Sequence, residues 1–89
     1  MISAIWDEAF KRSYSKRIKK NEERRRRFWR RMELFLASPF SPQLRTHKLS
    51  GKLEGQWAFS VDDDCRVVFE FVGEDKVLLI DIGSHDEVY

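Results

Sequence analysis

Apolar residues recur at two different spacings along the chain, and the change of spacing divides the sequence near its middle. In the first half they return every three or four residues, which is the period of one helical face. In the second half they form short runs, as in strands. The first pattern predicts two amphipathic helices, with apolar positions Phe10, Tyr14 and Ile18 in one and Phe28, Met32, Phe35 and Leu36 in the other.

Residues that favour helix ends lie at the borders of both helical stretches. Asp7 is suited to cap the first helix, and Asn21 the second, whose first turn carries two glutamates. The segment SPFSP ends the second helix, because a residue that precedes proline avoids the helical conformation. We expect the two helices to form a hairpin, preceded by a short strand, SAIW.

Three strand-like runs follow closely on one another: QWAFSV, CRVVFEF and KVLLIDI. A turn at Ser50 and Gly51 precedes them, and only residues 62–64 and 73–75 connect them, as in an antiparallel meander. The predicted fold class is therefore α+β. One domain over residues 1–89 packs a helical hairpin on a small, mainly antiparallel β-sheet.

Length and cysteine content narrow the class of protein. A chain of 89 residues supports one modest core. Cys65 is the only cysteine, and the first ten residues lack the basic and apolar regions of a secretory signal. No apolar run approaches the ~20 residues that span a bilayer. We therefore expect a cytoplasmic protein.

The net charge of +2 conceals an asymmetry between the two halves. Residues 1–52 hold 15 Lys and Arg against 5 Asp and Glu, a net of +10, and residues 53–89 hold 2 against 10, a net of −8. Such a distribution favours an acidic or polyanionic partner for the first half. The alternative is that the two halves neutralise each other in the fold.

The basic stretch EERRRRFWRR is a candidate nucleic-acid contact. Arg24, Arg25 and Arg30 are suited to bind phosphates. Consecutive arginines on a helix point in different directions, however, so a solvated or partner-binding face is the alternative. Trp6 and Trp29 similarly fit either stacking on bases or packing in the core.

Polar groups with proton-transfer chemistry collect near the ends of the predicted strands. Asp64 and Arg66 lie at the start of the middle strand, and His85 lies just past the end of the last one. Because antiparallel neighbours bring a start beside an end, we expect these three residues to meet at one edge of the sheet. His47 and Lys48, in the segment that enters the sheet, are candidates for the remaining side.

Two histidines, an arginine and an acid are the groups needed to cleave RNA without a metal or cofactor. A base removes the 2′-hydroxyl proton, an acid protonates the leaving 5′-oxygen, and a guanidinium stabilises the charge on the phosphate. Histidine suits both proton transfers because it titrates near neutrality. The alternative is that the histidines are ordinary surface residues and that Asp64 and Arg66 form a structural ion pair.

Residues 44–89 also resemble a known protein family. They carry, in order, the motifs H-x-L-x-G, G-x-W, D-x-R-hydrophobic and I-G-x-H-x-E-hydrophobic-aromatic. This order resembles the C-terminal half of RelE/ParE superfamily toxins, and most of all their YafQ-like branch. The resemblance implies a type II toxin that cleaves mRNA, usually on the ribosome, and that a co-expressed acidic antitoxin inhibits, so that the toxin is monomeric or part of a hetero-oligomer.

The resemblance also implies a role for each matching residue. His85 corresponds to the general acid and His47 to the general base. Arg66 corresponds to an arginine that contacts the phosphate, Asp64 to an acid that orients a histidine or the substrate, and Tyr89 to the aromatic residue that positions the scissile nucleotide.

One position departs from the family pattern, because Ser60 stands where some YafQ-like toxins carry a further histidine. Lys48 or Lys52 is then expected to supply electrostatic help. Two other functions remain open. Some superfamily members inhibit DNA gyrase, and a non-catalytic module that only binds an antitoxin or RNA would have the same fold.

Overall fold

The computed structural model describes all of residues 1–89. Two helices separate a short first strand from the rest of the sheet, and a one-turn helix follows the last strand. The elements are β1 (Ser3–Trp6), α1 (Glu8–Arg17), α2 (Glu22–Ala37), β2 (His47–Lys48), β3 (Trp57–Asp62), β4 (Cys65–Gly73), β5 (Lys76–Gly83) and α3 (His85–Val88).

The five strands form one mixed sheet in the order β1-β5-β4-β3-β2. The meander predicted from the short connections is confirmed, since β3, β4 and β5 pair antiparallel in sequence. Strand β1 instead lies parallel to β5 at the far edge, with Ser3 opposite Lys76. The two-residue strand β2 pairs antiparallel with β3 and was not predicted.

The connections are shorter than the sequence suggested. Asp62 is the last residue of β3, which leaves Asp63 and Asp64 as the turn, and Gly73 likewise belongs to β4. At the helix ends, the Asn21 side chain accepts a hydrogen bond from a backbone N–H at 3.0 Å, as a cap requires. Asp7 occupies the corresponding position of α1 but makes no side-chain bond.

The helices cover one face of the sheet and bury their apolar stripes against it. The ring of Phe35 stacks on that of Phe59, with centroids 4.4 Å apart, and meets Phe69 edge-on at 4.8 Å. Burial of each such ring stabilises the fold by about 2–3 kcal/mol. Phe10, Ile18, Phe28, Met32 and Phe35 are buried as predicted, while Tyr14 and Leu36 are partly buried.

Helices α1 and α2 pack on one face of the sheet, and neither of them covers the opposite face. Side chains alternate between the two faces of a strand, and Phe59, Val67 and Phe69 belong to the helix-covered core. Their neighbours in β3 and β4 therefore point the opposite way. We call this the open face, and it carries Ala58, Ser60, Arg66 and Val68. None of the helices has the length and apolar character needed to cross a membrane.

Candidate active site

Arg66 is the middle residue of a row of three paired residues, one from each of β3, β4 and β5. Ser60 of β3 lies opposite Arg66, and Arg66 lies opposite Gly83 of β5. The Arg66 side chain is partly exposed and makes no hydrogen bond or ion pair within the protein. Its guanidinium is therefore free to bind an anion.

His47 lies on the same face, one row further along the sheet. It pairs with Ala58, and directly opposite residues of an antiparallel pair share a face. Ala58 and Val68 form a buried floor beside it, with 0% and 2% of their surface exposed. With strands ~4.8 Å apart and a rise of ~3.4 Å per residue, the Cα atoms of His47 and Arg66 are roughly 12 Å apart.

The backbone before β2 fixes how the His47 ring is presented. Its Nδ1 lies 2.8 Å from the carbonyl oxygen of Arg45, so Nδ1 carries the proton and donates it to that oxygen. Arg45 itself adopts a left-handed conformation with φ 50°, which is uncommon for a residue with a side chain. The free Nε2 of His47 is consequently the nitrogen able to accept a proton.

Helix α3 begins immediately after the Arg66 row. Its N-terminus is a capping box: Ser84 Oγ accepts from the N–H of Glu87 at 3.3 Å, and Glu87 Oε1 accepts from the N–H of Ser84 at 2.7 Å. One turn on, the ring of Tyr89 meets His85 edge-on with centroids 4.5 Å apart. The last six residues are thus folded rather than frayed.

Helix α3 lies beside the end of the sheet that carries Arg66, because it contacts both β4 and β5. Burial raises the pKa of the Tyr89 hydroxyl, and the nearby positive charge of Arg66 acts in the opposite direction. His85, which is exposed and has its Nδ1 3.8 Å from Asp86 Oδ1, therefore belongs to the same neighbourhood.

Asp64 does not join this group. It makes no ion pair with Arg66 or His85, so neither the expected meeting of the three residues nor the alternative structural pair is found. Its backbone N–H bonds to Asp62 Oδ1 at 2.8 Å, which tightens the turn. As a result, Asp64 lines a polar recess of about 290 Å³, with Arg24, Arg27, Asp62 and Asp63.

The two candidate lysines are also separated from His47. Lys48 pairs with Trp57 and its ammonium lies 5.4 Å from the centre of that ring, on the helix-covered side of the sheet. Neighbouring residues of a strand point to opposite faces, so Lys48 cannot share a face with His47. Lys52 is exposed in a 3₁₀ turn, Gly51–Leu53, and makes no side-chain contact with the others.

The three candidate arginines of α2 lie on the helix side as well. Arg24 and Arg25 donate to backbone oxygens near the end of α1, at 3.5 Å and 2.7 Å. Arg30 has no partner and lines a cationic groove of about 590 Å³ beside Val61. Trp29 is 47% exposed, but it stacks on Trp6 with centroids 5.8 Å apart, so packing accounts for both tryptophans.

The arrangement defines a shallow surface site. None of the cavities is lined by His47, Arg66, His85 or Tyr89. A surface of this kind suits an extended polymer better than an enclosed small molecule. No group of three or more His, Cys, Asp and Glu side chains is placed to hold a metal ion.

Two structural contributions to the site were missed from the sequence. The Arg45 carbonyl selects the tautomer of His47, and Arg17 of α1 contacts the connection between β5 and α3. The order of residues gives no sign of the second contact, which links positions 65 apart. A basic residue in the last turn of a helix is also favourable for a local reason, its interaction with the helix dipole, so its presence there does not indicate a distant contact.

Solved structures of small toxins share this fold. YafQ from E. coli strain BL21(DE3) has a similar structure, with a TM-score of 0.82 at 12% identity over 100% of this chain and 99% of that chain. A YoeB/ParE toxin from Agrobacterium tumefaciens gives 0.77 at 16% identity over 94% and 99%. The E. coli DinJ-YafQ toxin-antitoxin complex gives 0.73 at 11% identity over 99% and 97%.

The family follows from the sequence itself. The family model of the YafQ bacterial toxin of type II toxin-antitoxin systems matches residues 3–89. The chain therefore belongs to the YafQ family of type II toxins, and the family predicted from its motifs is confirmed. A search of curated proteins finds no match.

Proposed function

We propose that this toxin is an endoribonuclease that cleaves mRNA on the open face of its sheet. The observation that supports this most strongly is the shared location of His47, Arg66 and the α3 pair His85 and Tyr89. These are two groups for proton transfer, one free guanidinium and one aromatic ring around a shallow surface. The set matches what cleavage at a ribose 2′-hydroxyl requires.

In the proposed reaction, Nε2 of His47 removes the proton of the 2′-hydroxyl. The 2′-oxygen then attacks the adjacent phosphorus, and the bond from phosphorus to the 5′-oxygen breaks as that oxygen takes a proton from His85. The products are a 2′,3′-cyclic phosphate and a 5′-hydroxyl. Arg66 stabilises the negative charge that develops on the phosphate oxygens.

Tyr89 is proposed to position the scissile nucleotide by stacking on its base. Its side chain is 41% exposed and is held by His85 on one side. Aromatic stacking of this kind contributes about 1–3 kcal/mol per base. Lys48 and Lys52 then contribute only long-range attraction for the RNA. Asp64 has a structural position in the turn and takes no part in the reaction.

Within the positive helical half, the surface of α2 is proposed to meet two partners. An acidic antitoxin is expected to fold on it. The solved E. coli DinJ-YafQ toxin-antitoxin complex supports an antitoxin as partner. Ribosomal RNA is the second partner, with Arg30 and the groove beside it available for phosphates. Both partners imply that the toxin acts in the cytoplasm.

Induced expression in a bacterial host tests the proposal. Wild-type toxin should arrest growth and produce new 5′ ends within translated mRNA, and His85→Ala should do neither. The control is Arg12→Gln, which removes one charge from the exposed surface of α1. Arrest by the His85 variant without new mRNA ends would move the search to DNA gyrase and would end the nuclease proposal.

A further inference from the structure

The connection between β5 and α3 is held from outside by one side chain of α1. Arg17 is the last residue of α1, and its side chain is 20% exposed. Its Nη1 donates to the carbonyl oxygen of Ile82 at 2.7 Å and lies 3.3 Å from Asp81 Oδ1. Its Nε lies 3.3 Å from Glu87 Oε2. One guanidinium therefore contacts both the end of β5 and the body of α3.

Both carboxylates that face Arg17 are themselves fixed. Asp81 Oδ1 accepts from Ser13 Oγ at 2.6 Å and from the N–H of Ile82 at 2.9 Å. Glu87 accepts from the N–H of Ser84, and this bond, followed by the charge of Arg17, lowers the pKa of its carboxyl group. Arg17 thus joins two preorganised groups.

The Arg17 Nε has no other partner. It is buried and lacks a hydrogen bond of good geometry, although the Glu87 carboxylate is 3.3 Å away. A buried donor without an acceptor costs about 1–3 kcal/mol. The Glu87 contact is therefore the only compensation available to this atom, and displacement of α3 would remove it.

The surroundings of Gly83 show how closely Arg17, Glu87 and the backbone after β5 pack together. A Cβ atom at this position would lie 2.7 Å from Arg17 Nη1 and 2.8 Å from Glu87 Oε1. Both distances are shorter than real Cβ contacts. The backbone between β5 and α3 therefore passes directly under the Arg17–Glu87 contact.

Helix α3 needs such support because it is a single turn. It spans only His85–Val88, and isolated helices shorter than about 12 residues are marginal in water. The capping box orders its first turn but does not orient it relative to the sheet. The contact with Arg17 supplies that orientation from the α1 side, and α3 also contacts β4, the strand that carries Arg66.

We propose that Arg17 is a positioning residue, which holds α3 in the orientation that places His85 and Tyr89 beside Arg66. The catalytic part of this inference rests on the proposed function, whereas the structural part does not. Arg17 touches neither substrate nor reacting atoms and acts only through Glu87 and the end of β5. Small displacements of a reacting group cost up to about 100-fold in rate, so loss of Arg17 should appear in kcat rather than in KM.

The test compares Arg17→Gln with Arg12→Gln, which removes the same charge from an exposed position of the same helix. Two quantities are measured on each purified variant: amide hydrogen exchange of residues 84–89, and kcat and KM for RNA cleavage. In Arg17→Gln we expect exchange in this segment to accelerate and kcat to fall by about 10- to 100-fold, with KM within about twofold. Arg12→Gln should match the wild type in both.

A second variant separates positioning from folding. Glu87→Gln removes the charge contact with Arg17 and leaves the Asp81 and Ile82 contacts in place. If the two residues act through one contact, the double variant Arg17→Gln/Glu87→Gln should be no slower than Arg17→Gln alone. Fully additive losses would overturn the proposed coupling, even if Arg17→Gln also lowered the thermal stability.

Failure of this inference is distinguishable from failure of the proposed function. Unchanged exchange in residues 84–89 of Arg17→Gln would overturn the positioning role, whatever the kinetics show. Accelerated exchange with unchanged kcat would overturn its catalytic consequence. If the wild type itself cleaves no RNA, the proposed function fails, while the exchange measurement still decides whether Arg17 holds α3.

Discussion

The arginines of α2 and the single arginine of the sheet differ in what surrounds them. Four consecutive arginines of α2 each have a partner within the protein. Arg26 pairs with Glu22 at 3.0 Å and Arg27 with Asp62 at 3.1 Å, and the other two donate to backbone oxygens. Arg66 has no partner of either kind.

The comparison shows that density of charge is a poor guide to a site. The basic run that dominates the sequence contributes four arginines to holding α2 against α1, its own first turn and β3. In α2 only Arg30 is without a partner, and the free guanidinium on the open face belongs to Arg66, one of only two basic residues in residues 53–89. An unpaired guanidinium on a surface retains its capacity to bind an anion, whereas a paired one must first lose its partner.

Substitution of Arg66 should have the largest effect. In Arg66→Ala we expect cleavage to fall by about 1000-fold, because a positioned donor to the transition state contributes ~3–4 kcal/mol. The measurement is kcat on ribosome-bound mRNA, with Arg12→Gln as the charge-matched control. Equal losses in both variants would mean that Arg66 acts only through net charge.

Replacement of the histidines should produce the next largest effect and should distinguish their roles. General acid or base catalysis contributes about 100-fold or more, so His47→Ala and His85→Ala should each lose at least that factor. A message whose scissile 5′-oxygen is replaced by sulfur has a leaving group that needs no general acid, so it should restore cleavage by His85→Ala and not by His47→Ala. Rescue of His47→Ala alone would exchange the two assignments.

Removal of Val88 and Tyr89 should cost about 10- to 100-fold in cleavage, the value of one lost base-stacking contact. The core lies elsewhere, so the free energy of unfolding should change little. Cleavage by the truncated protein at the wild-type rate would show that Tyr89 has no part in the site.

Substitution of Arg27 tests the claim that the paired arginines of α2 have a structural role. Its side chain is 43% exposed and bridges Glu23 and Asp62. Exposed pairs contribute about 0.2–1 kcal/mol, so Arg27→Met should lower the free energy of unfolding by less than ~1 kcal/mol in urea titrations. A loss of cleavage larger than that of Arg66→Ala would reverse the contrast drawn between the two regions.

The thiol next to Arg66 affects stability only at alkaline pH, and its burial tests which side chains of β4 face the core. Cys65 points into the core, and burial raises the pKa of its thiol from 9.0 to about 12. The unfolded chain loses this proton at lower pH than the folded one, so stability is retained below pH 9 and falls as the pH rises towards 12. Urea titrations should show a steeper alkaline decline in the wild type than in Cys65→Ala. Equal declines would place the thiol in solvent.

Local patterns predicted most of the fold. The stripe that includes Phe28 and Phe35 is buried, Asn21 caps α2, and the meander follows from two short turns. The parallel pairing of β1 with β5 could not be predicted from the sequence. It pairs Ser3 with Lys76, which are far apart along the chain, and local patterns carry no information on such a contact.

The candidate site was predictable in part. The motifs and the meander together indicated that His85 lies near the start of β4. Asp64 lies in a turn, where strand alternation does not fix the direction of a side chain, and the direction of Lys48 follows from strand alternation only once β2 is known. Neither direction follows from order along the chain. The partners of the α2 arginines likewise depend on where α1 ends.

The most direct test of the nuclease account uses ribosomes programmed with a synthetic mRNA that carries one 2′-deoxynucleotide at the mapped scissile position. The account predicts that purified wild-type toxin cleaves the all-ribose message to a 2′,3′-cyclic phosphate and a 5′-hydroxyl, and leaves the deoxy-substituted bond intact. Cleavage of the deoxy-substituted bond would contradict the account, because the proposed nucleophile is absent from that substrate.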